Sequence, residues 1–286
     1  MDQDGLEAVA IDSGGALRRA LVGAGTARAG AAAIVMIHGA GATASIAAMQ
    51  TGWGPHARTM GAIVAYPEGT PKDPARPAEF RRNPQTWNDG SGRGHVARAQ
   101  VDDVAFLGAL IDRLVTGFDA DPAAIFLAGF SNGASLAFRA AAEMPGRIRG
   151  LAAVAGHCWV EPRGPVPPLL YLMGDADPLN PMAGGEVATP WGRTEIHPPP
   201  RRSFDRWARA AGCGGDAVTR DDGPVAWLEG AGCGVPVRMG IVAGQGHVWP
   251  GGPRLLPERI VGRAVRGIDA TALIGDFFSS LRIAPA

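Results

Sequence analysis

The chain predicts an α/β fold built on a mostly parallel sheet, and three observations carry that prediction. Its strand-like segments are continuous apolar runs rather than alternating ones, as in "AAIVMIHGAG" (32–41) and "GAIVAYPEG" (61–69), and such runs suit strands covered on both faces. Segments with apolar residues at helical spacing separate them. The length, 286 residues, is enough to bury a substantial core. One domain is expected over 1–286, with 1–14 as an irregular N-terminal segment.

The elements follow in chain order. The runs at 32–41 and 61–69 are the first two strands. "ARAQVDDVAFLGALIDRLVTGF" (97–118) spaces Val104, Leu107, Leu110, Ile111 and Leu114 for one helix face, with Asp102 and Asp103 near its positive end. "AAIFLAG" (123–129) is a third strand. "NGASLAFRAAAEMPG" (132–146) is a helix ended by Pro145-Gly146. "GLAAVAG" (150–156), "PPLLYLMG" (167–174) and "PVRMGIVAG" (236–244) complete the strands, and "RSFDRWARAAG" (202–212) and "TALIGDFFSSLR" (271–282) are further helices. Crossovers should be right-handed, and functional groups should gather at the carboxyl ends of the strands.

Bulk numbers exclude several function classes. Lys+Arg and Asp+Glu are both 27, so no basic field argues for nucleic acid. No apolar run of 18 residues suggests a membrane span. The start, "MDQDGLEAVAIDSGG", has neither the basic nor the apolar part of an export signal. Either the protein is cytoplasmic or such a signal was removed ahead of the first residue. Cys158, Cys213 and Cys233 lack metal-type spacing, and no metal or cofactor is expected. Cys213 and Cys233 sit in two Gly-flanked turns; they would clip a 20-residue excursion, or stand as two free buried thiols.

The stretch "AGFSNGASLAF" (128–138) carries the chemistry. Gly129-Phe130-Ser131-Asn132-Gly133 lies between a strand and a helix, the context of a nucleophile elbow. There a strained turn lifts the Ser131 hydroxyl above the sheet, and the two glycines are needed because strand and helix approach too closely for a Cβ. A serine hydroxyl needs a base. In the α/β-hydrolase fold the chain order is Ser, then Asp or Glu, then His. Of six histidines, His38, His56 and His95 precede Ser131. His157 comes before any suitable acid, and His197 lies in a Pro-rich loop with no strand behind it. His247 follows a strand and a Gly loop, so it is the expected base.

The acid should follow a strand between Ser131 and His247. Asp177 in "LLYLMGDADPLNP" fits, with Pro178 fixing its loop; Asp175 would brace that loop, and Asp216, Asp221 and Asp222 look like solvated charges. The developing oxyanion needs two donors: the backbone N–H of Asn132 and one from the "HGAG" loop (38–41), best assigned to Ala40. His38 is then a structural loop residue. Trp87 in "QTWNDGSG" and Trp249 beside the histidine are candidate substrate-facing aromatics, with plain core packing as the alternative.

The stretches "IHGAGATA", "IVAYPEGT", "DDVAFLGALID", "AGFSNGASLAFRAA", "MGDADPLNP" and "GQGHVWPGG" resemble the secreted polyhydroxybutyrate depolymerase and feruloyl esterase group of α/β-hydrolases. The similarity runs from about residue 15 to the C-terminus. It implies a single-domain α/β-hydrolase with Ser131 as nucleophile, His247 as base and Asp177 as acid. It also implies a Cys213–Cys233 disulfide and an extracellular or periplasmic location. The chain departs from the group in carrying Met173-Gly174 where many members have His-Gly, and Thr86 where many have a cysteine before "WN". No polymer-binding domain or Thr-rich linker is seen, which favours soluble, amorphous or oligomeric esters over crystalline polymer.

The expected function is therefore a serine ester hydrolase acting on an ester or polyester, depolymerase-like, with a feruloyl or acetyl-xylan esterase as the alternative. A non-catalytic binding protein on the same scaffold and a peptidase are the readings from other classes. Retention of all three triad residues opposes the first, and the lack of an acidic site for an amino terminus opposes the second. The residues do not fix an oligomeric state.

Overall fold

A computed structural model describes residues 5–25 and 27–282. It opens with an antiparallel hairpin, β1 (Glu7–Ser13) and β2 (Ala16–Gly23). This corrects the irregular segment expected over 1–14; residues 1–4 lie outside the described ones. Val9, Ile11, Ala20 and Val22 are buried while charged neighbours such as Glu7, Asp12 and Arg19 face outward or stay half-exposed. That alternation belongs to a strand covered on one face only.

β3 (Ala31–Ile37) and β4 (Ile63–Pro67) are buried at every position, as their unbroken apolar runs predict. Between them lie α1 (Ala44–Thr51), whose first turn is capped by the Thr43 side chain accepting from the Ile46 N–H at 3.3 Å, and α2 (Trp53–Met60). A long excursion follows, holding the short ladder of β5 (Thr70–Pro71) with β6 (Gln85–Thr86) and the helical turn α3 (Gly94–Arg98). The helix expected over 97–118 is interrupted: Gln100 takes a positive φ of 51°, and α4 (Asp103–Phe118) starts afresh. Asp102 caps it by accepting from the Ala105 N–H at 2.9 Å. Asp102 therefore does sit at the positive end, but of a shorter helix.

β7 (Ala120–Phe130), α5 (Asn132–Glu143), β8 (Gly150–Val154) and β9 (Leu169–Gly174) follow. A hairpin of β10 (Gly185–Ala188) and β11 (Thr194–His197) then precedes α6 (Arg201–Ala210). The chain closes with β12 (Gly215–Asp222), β13 (Val225–Ala231), β14 (Val237–Val242), α7 (Glu258–Val261) and α8 (Ala270–Arg282). The Cys-flanked excursion is thus a hairpin, β12–β13, and the disulfide Cys213–Cys233 closes its open end. Closing a loop of this length stabilises by about 3 kcal/mol in the chain-entropy account. Asp221 and Asp222 are exposed on this edge; the Asp216 side chain lies outside the described residues.

The main sheet runs β1-β2-β4-β3-β7-β8-β9-β14-β13-β12. Its six central strands, β4 to β14, are parallel, and an antiparallel hairpin finishes each edge. One core lies between the sheet and α4, α5 and α6, where Phe138 meets Tyr171 and Trp207 edge-on. The other lies against α1, α2 and α8, where Phe126, Phe278 and Trp53 stack. Each such aromatic contributes on the order of 2–3 kcal/mol by burial. The order of strands brings the segments after β3, β7, β9 and β14 to one end of the sheet. Those segments hold Ala40, Ser131, Asp177 and His247.

Candidate active site

The turn at Ser131 is strained. Its backbone sits at φ 56°, ψ −123°, outside the regions an L-residue favours. What holds it is local: the Ser131 N–H donates to the Val154 carbonyl at 2.8 Å, tying the turn to the end of β8. Both flanking glycines are required by contact. A Cβ on Gly129 would lie 2.4 Å from the Gly133 carbonyl oxygen, and one on Gly133 would lie 2.3 Å from that of Ile37. The second contact is with the end of β3, not with β7, so Gly133 lets the helix press against the loop that follows β3.

Ser131 Oγ lies 2.8 Å from His247 Nε2, and His247 Nδ1 lies 2.7 Å from Asp177 Oδ2. Asp177 is 2 % exposed, and its other oxygen accepts from the N–H groups of Leu179 (2.7 Å) and Asn180 (2.9 Å). The carboxylate is thus fixed by its own turn and can only accept. It holds the His247 proton on Nδ1 and leaves Nε2 as an acceptor for the serine hydroxyl. Asp175 braces the meeting of the two loops, accepting from the Gly244 N–H at 2.6 Å.

The loop after β3 is pinned from beneath. His38 accepts from the Gly69 N–H on Nε2 at 3.0 Å and donates from Nδ1 to the Gly39 carbonyl. Burial pushes its pKa down to about 4, so it is neutral and acts as a strut. The Gly41 N–H donates to the Gln85 carbonyl at 2.7 Å. Trp87 donates from Nε1 to the His38 carbonyl at 2.8 Å, and its backbone clasps the Asn132 amide in both directions (2.8 and 3.2 Å). Trp87 is 1 % exposed, its ring set against His38 and Phe106. It borders the space beside Ser131 and ties His38, at the end of β3, to Asn132. The segment is anchored below by a buried ion pair: Asp103 accepts from Arg18 at 2.9 Å and from the Asn88 N–H at 2.7 Å.

Trp249 differs from the sequence expectation more sharply. It is 1 % exposed, donates from Nε1 to Thr271 Oγ1 at 3.0 Å and meets Phe130 edge-on. Its ring belongs to the core beside α8 and lines neither of the two cavities that reach Ser131. Proximity to His247 in sequence misled here, because the chain turns inward at once after the histidine.

Two histidines passed over in the sequence stand beside the triad. His157 Nε2 and His197 Nδ1 both lie within hydrogen-bond distance of Asn180 Oδ1 (2.8 and 2.9 Å). Since an amide oxygen only accepts, both rings donate to it. His197 Nε2 faces Arg93, which also pairs with Glu195. His197 ends β11 and is buried, contrary to the expected strandless loop. Burial, then the neighbouring His197, pushes the pKa of His157 down to about 3. Asn180, three residues past Asp177 and donating to the Ala155 carbonyl at 2.6 Å, links this pair to the acid loop. The only sequence signal for it was its place in "DADPLNP".

Two cavities meet at Ser131. One, about 340 Å³, is the more polar of the two and includes Arg81, Arg93, His157 and His197; the other, about 250 Å³, is apolar and includes Ile46, Phe80, Val248 and Leu256. Ala40, Ser131, Leu179, Trp191 and His247 line both. Trp191, at the tip of the β10–β11 hairpin, donates from Nε1 to the Phe80 carbonyl at 2.7 Å and packs on its ring. That contact joins the two excursions over the site. Among the described residues no cluster of three or more His, Cys, Asp or Glu is arranged to hold a metal ion, and no helix is long and apolar enough to cross a membrane.

This geometry can transfer a proton from a hydroxyl to an imidazole held by a carboxylate, beside a helix N-terminus suited to negative charge. Comparison with known proteins agrees at the level of family. Residues 22–194 match the phospholipase/carboxylesterase family, and the chain belongs to it, as a carboxylesterase-type α/β-hydrolase. A relative named "Putative esterase NocK", from Nocardia uniformis subsp. tsuyamanensis, is 28 % identical over 268 residues, covering 85 % of this chain and 72 % of the relative. Two solved structures share the fold. Acetyl xylan esterase from Aspergillus awamori has a TM-score of 0.61 at 13 % identity, over 85 % of this chain and 94 % of that one. Esterase PE8 has a TM-score of 0.56 at 16 % identity, over 91 % and 97 %.

Proposed function

We propose that this protein is a serine carboxylic-ester hydrolase working through an acyl-enzyme, with Ser131, His247 and Asp177 as its triad. The observation that carries the proposal is the unbroken hydrogen-bond chain from Ser131 Oγ through His247 to a buried, doubly braced Asp177. Ser131 Oγ attacks the ester carbonyl carbon as His247 Nε2 takes its proton. The oxyanion is met by the backbone N–H groups of Asn132 and Ala40. Asn132 opens α5, where an N–H has no acceptor within its own helix. The imidazolium then returns its proton to the leaving alkoxide as the C–O bond breaks. Water, deprotonated by the same base, releases the acid and restores Ser131.

Short-chain or oligomeric esters of the polyhydroxybutyrate type are the substrates proposed. The motif resemblance supports that class, and so do cavities sized for a small ester on each side of Ser131. One catalytic domain, free of cofactor, spans the chain in this proposal. The Cys213–Cys233 bridge favours an oxidising compartment, outside the cell or in the periplasm. The test is hydrolysis of 4-nitrophenyl butyrate. The protein should cleave it, and Ser131→Ala should lower kcat by at least about a thousandfold. Equal turnover by the variant ends the assignment.

A further inference from the structure

The polar cavity is strongly one-signed. Lys72, Arg81, Arg82, Arg98 and Arg193 line it together with Arg93, against only two carboxylates, Asp89 and Glu195. Both carboxylates are already engaged with Arg93: Glu195 directly, and Asp89 at 3.7 Å while it also accepts from the Asn132 amide at 2.8 Å. None of the other five cations forms an ion pair among the described residues. The chain as a whole carries no formal net charge, so this is a concentration of charge and not a reflection of composition. The five come from separate places. Lys72, Arg81, Arg82 and Arg98 belong to the excursion after β4, and Arg193 belongs to the β10–β11 hairpin.

The apolar cavity on the other side of Ser131 has no Lys, Arg, Asp or Glu in its lining. The nucleophile thus stands at a boundary between an uncharged and a cationic compartment. A cleft with one sign of charge and low-dielectric walls concentrates ligands of the opposite sign. All five cations are exposed and solvated by water, so they act on a substrate through a field that salt screens and not through buried pairing.

We propose that the substrate is an ester bearing an anionic group, a carboxylate, on the flank that enters the cationic cavity, while its other flank is a short apolar chain. This deepens the esterase proposal and rests on it. A hydroxy-acid oligomer has this character at its carboxyl end, where the hydroxy acid released carries the charge. A half-ester of a dicarboxylic acid has it on the acyl side.

Two matched pairs of esters distinguish these. Mono-4-nitrophenyl adipate against 4-nitrophenyl hexanoate places the charge on the acyl group. 4-Carboxyphenyl butyrate against 4-carbamoylphenyl butyrate places it on the alcohol. At low ionic strength the charged member of at least one pair should have the higher kcat/KM, by about tenfold. That ratio should fall to within about twofold at high salt. It should also fall at least about threefold in Arg81→Gln/Arg82→Gln. Ratios at or below one in both pairs, unmoved by salt, overturn the inference. Calorimetry on Ser131→Ala separates the two proposals. If wild type cleaves no ester yet this variant binds the adipate more tightly than the hexanoate, the esterase assignment fails and the anion site stands. If esters are cleaved with no anionic preference, only the anion site fails.

Discussion

His247 and His157 are both buried, both within reach of an acceptor from the same loop, and separated by one residue's choice. His247 gives its Nδ1 proton to the Asp177 carboxylate and turns a free Nε2 to Ser131. His157 gives its Nε2 proton to the Asn180 amide, and its Nδ1 has no hydrogen-bond partner among the described residues. A carboxylate stabilises the imidazolium that proton uptake creates, and an amide oxygen does so far less. Burial, reinforced by the neighbouring His197, outweighs the upward pull of Asn180 and of the more distant Asp177 on His157 and holds it neutral. The difference teaches that, of two buried histidines near Ser131, the one suited to the proposed role of base is set apart by the charge of its acceptor, not by burial or nearness alone.

Removing that charge at the triad is the most severe way to test the comparison. Asp177→Asn keeps the shape but favours the wrong tautomer of His247, so kcat for 4-nitrophenyl butyrate should fall by about four orders of magnitude. A loss under tenfold would mean that His247 does not depend on its acceptor. The converse change sharpens the point. Asn180→Asp places a carboxylate between His157 and His197, and His157 should then titrate well above 3, toward or beyond the ordinary histidine value. Nitrogen chemical shifts followed through a pH titration report this, and a ring that stays neutral to pH 4 in the variant breaks the comparison.

The smallest expected effect is on stability. A histidine whose folded pKa lies below its unfolded value of about 6.5 binds its proton more readily when unfolded. Its contribution is therefore complete above that pH and is lost as pH falls toward 3 for His157 and toward 4 for His38. The buried His157 faces His197, Arg93 and Asp177, so its loss on acidification is felt inside the site. His157→Gln keeps an N–H for Asn180 and cannot titrate. Between pH 6.5 and 4 its denaturation free energy should fall less steeply than that of wild type, by up to about 1.4 kcal/mol per pH unit. Parallel curves would show that His157 takes up its proton equally in the folded and unfolded states, and so has no lowered folded pKa. Asp103 and Glu68 are pushed upward by burial and act with the opposite sign, but equally in both proteins.

The central strands were legible because burial on both faces leaves a continuous apolar run, which β3, β4, β8 and β9 carry throughout and β7 over its second half, while β14 keeps one only after Arg238. The edge hairpins were not. β1, β2, β12 and β13 mix charges into short alternations, and what makes them strands is a neighbour with open hydrogen-bonding groups, which no local segment records. The break at Gln100 was hidden for a related reason: helical spacing continues through it, while the Asp102 cap restarts the helix. At the site, Ser131, Asp177 and His247 could be read from order along the chain. Trp249 could not, since a direction of turn, and not a residue type, decides whether an aromatic faces the cavity or the core.

Sequence by itself determined the strand–turn–helix around Ser131, because Gly129 and Gly133 sit where no side chain fits, and it determined the order in which acid and base must follow. Tertiary structure alone decided that His157 and His197 stand beside this serine with the Asn180 amide between them, and that the two excursions, scattered over more than a hundred residues, unite their cations on one side of Ser131. The physical reason is common to both. Steric exclusion at a turn acts between residues a few positions apart, whereas electrostatic environment sums over whatever the fold brings near, and proximity of that kind is not written in any local stretch.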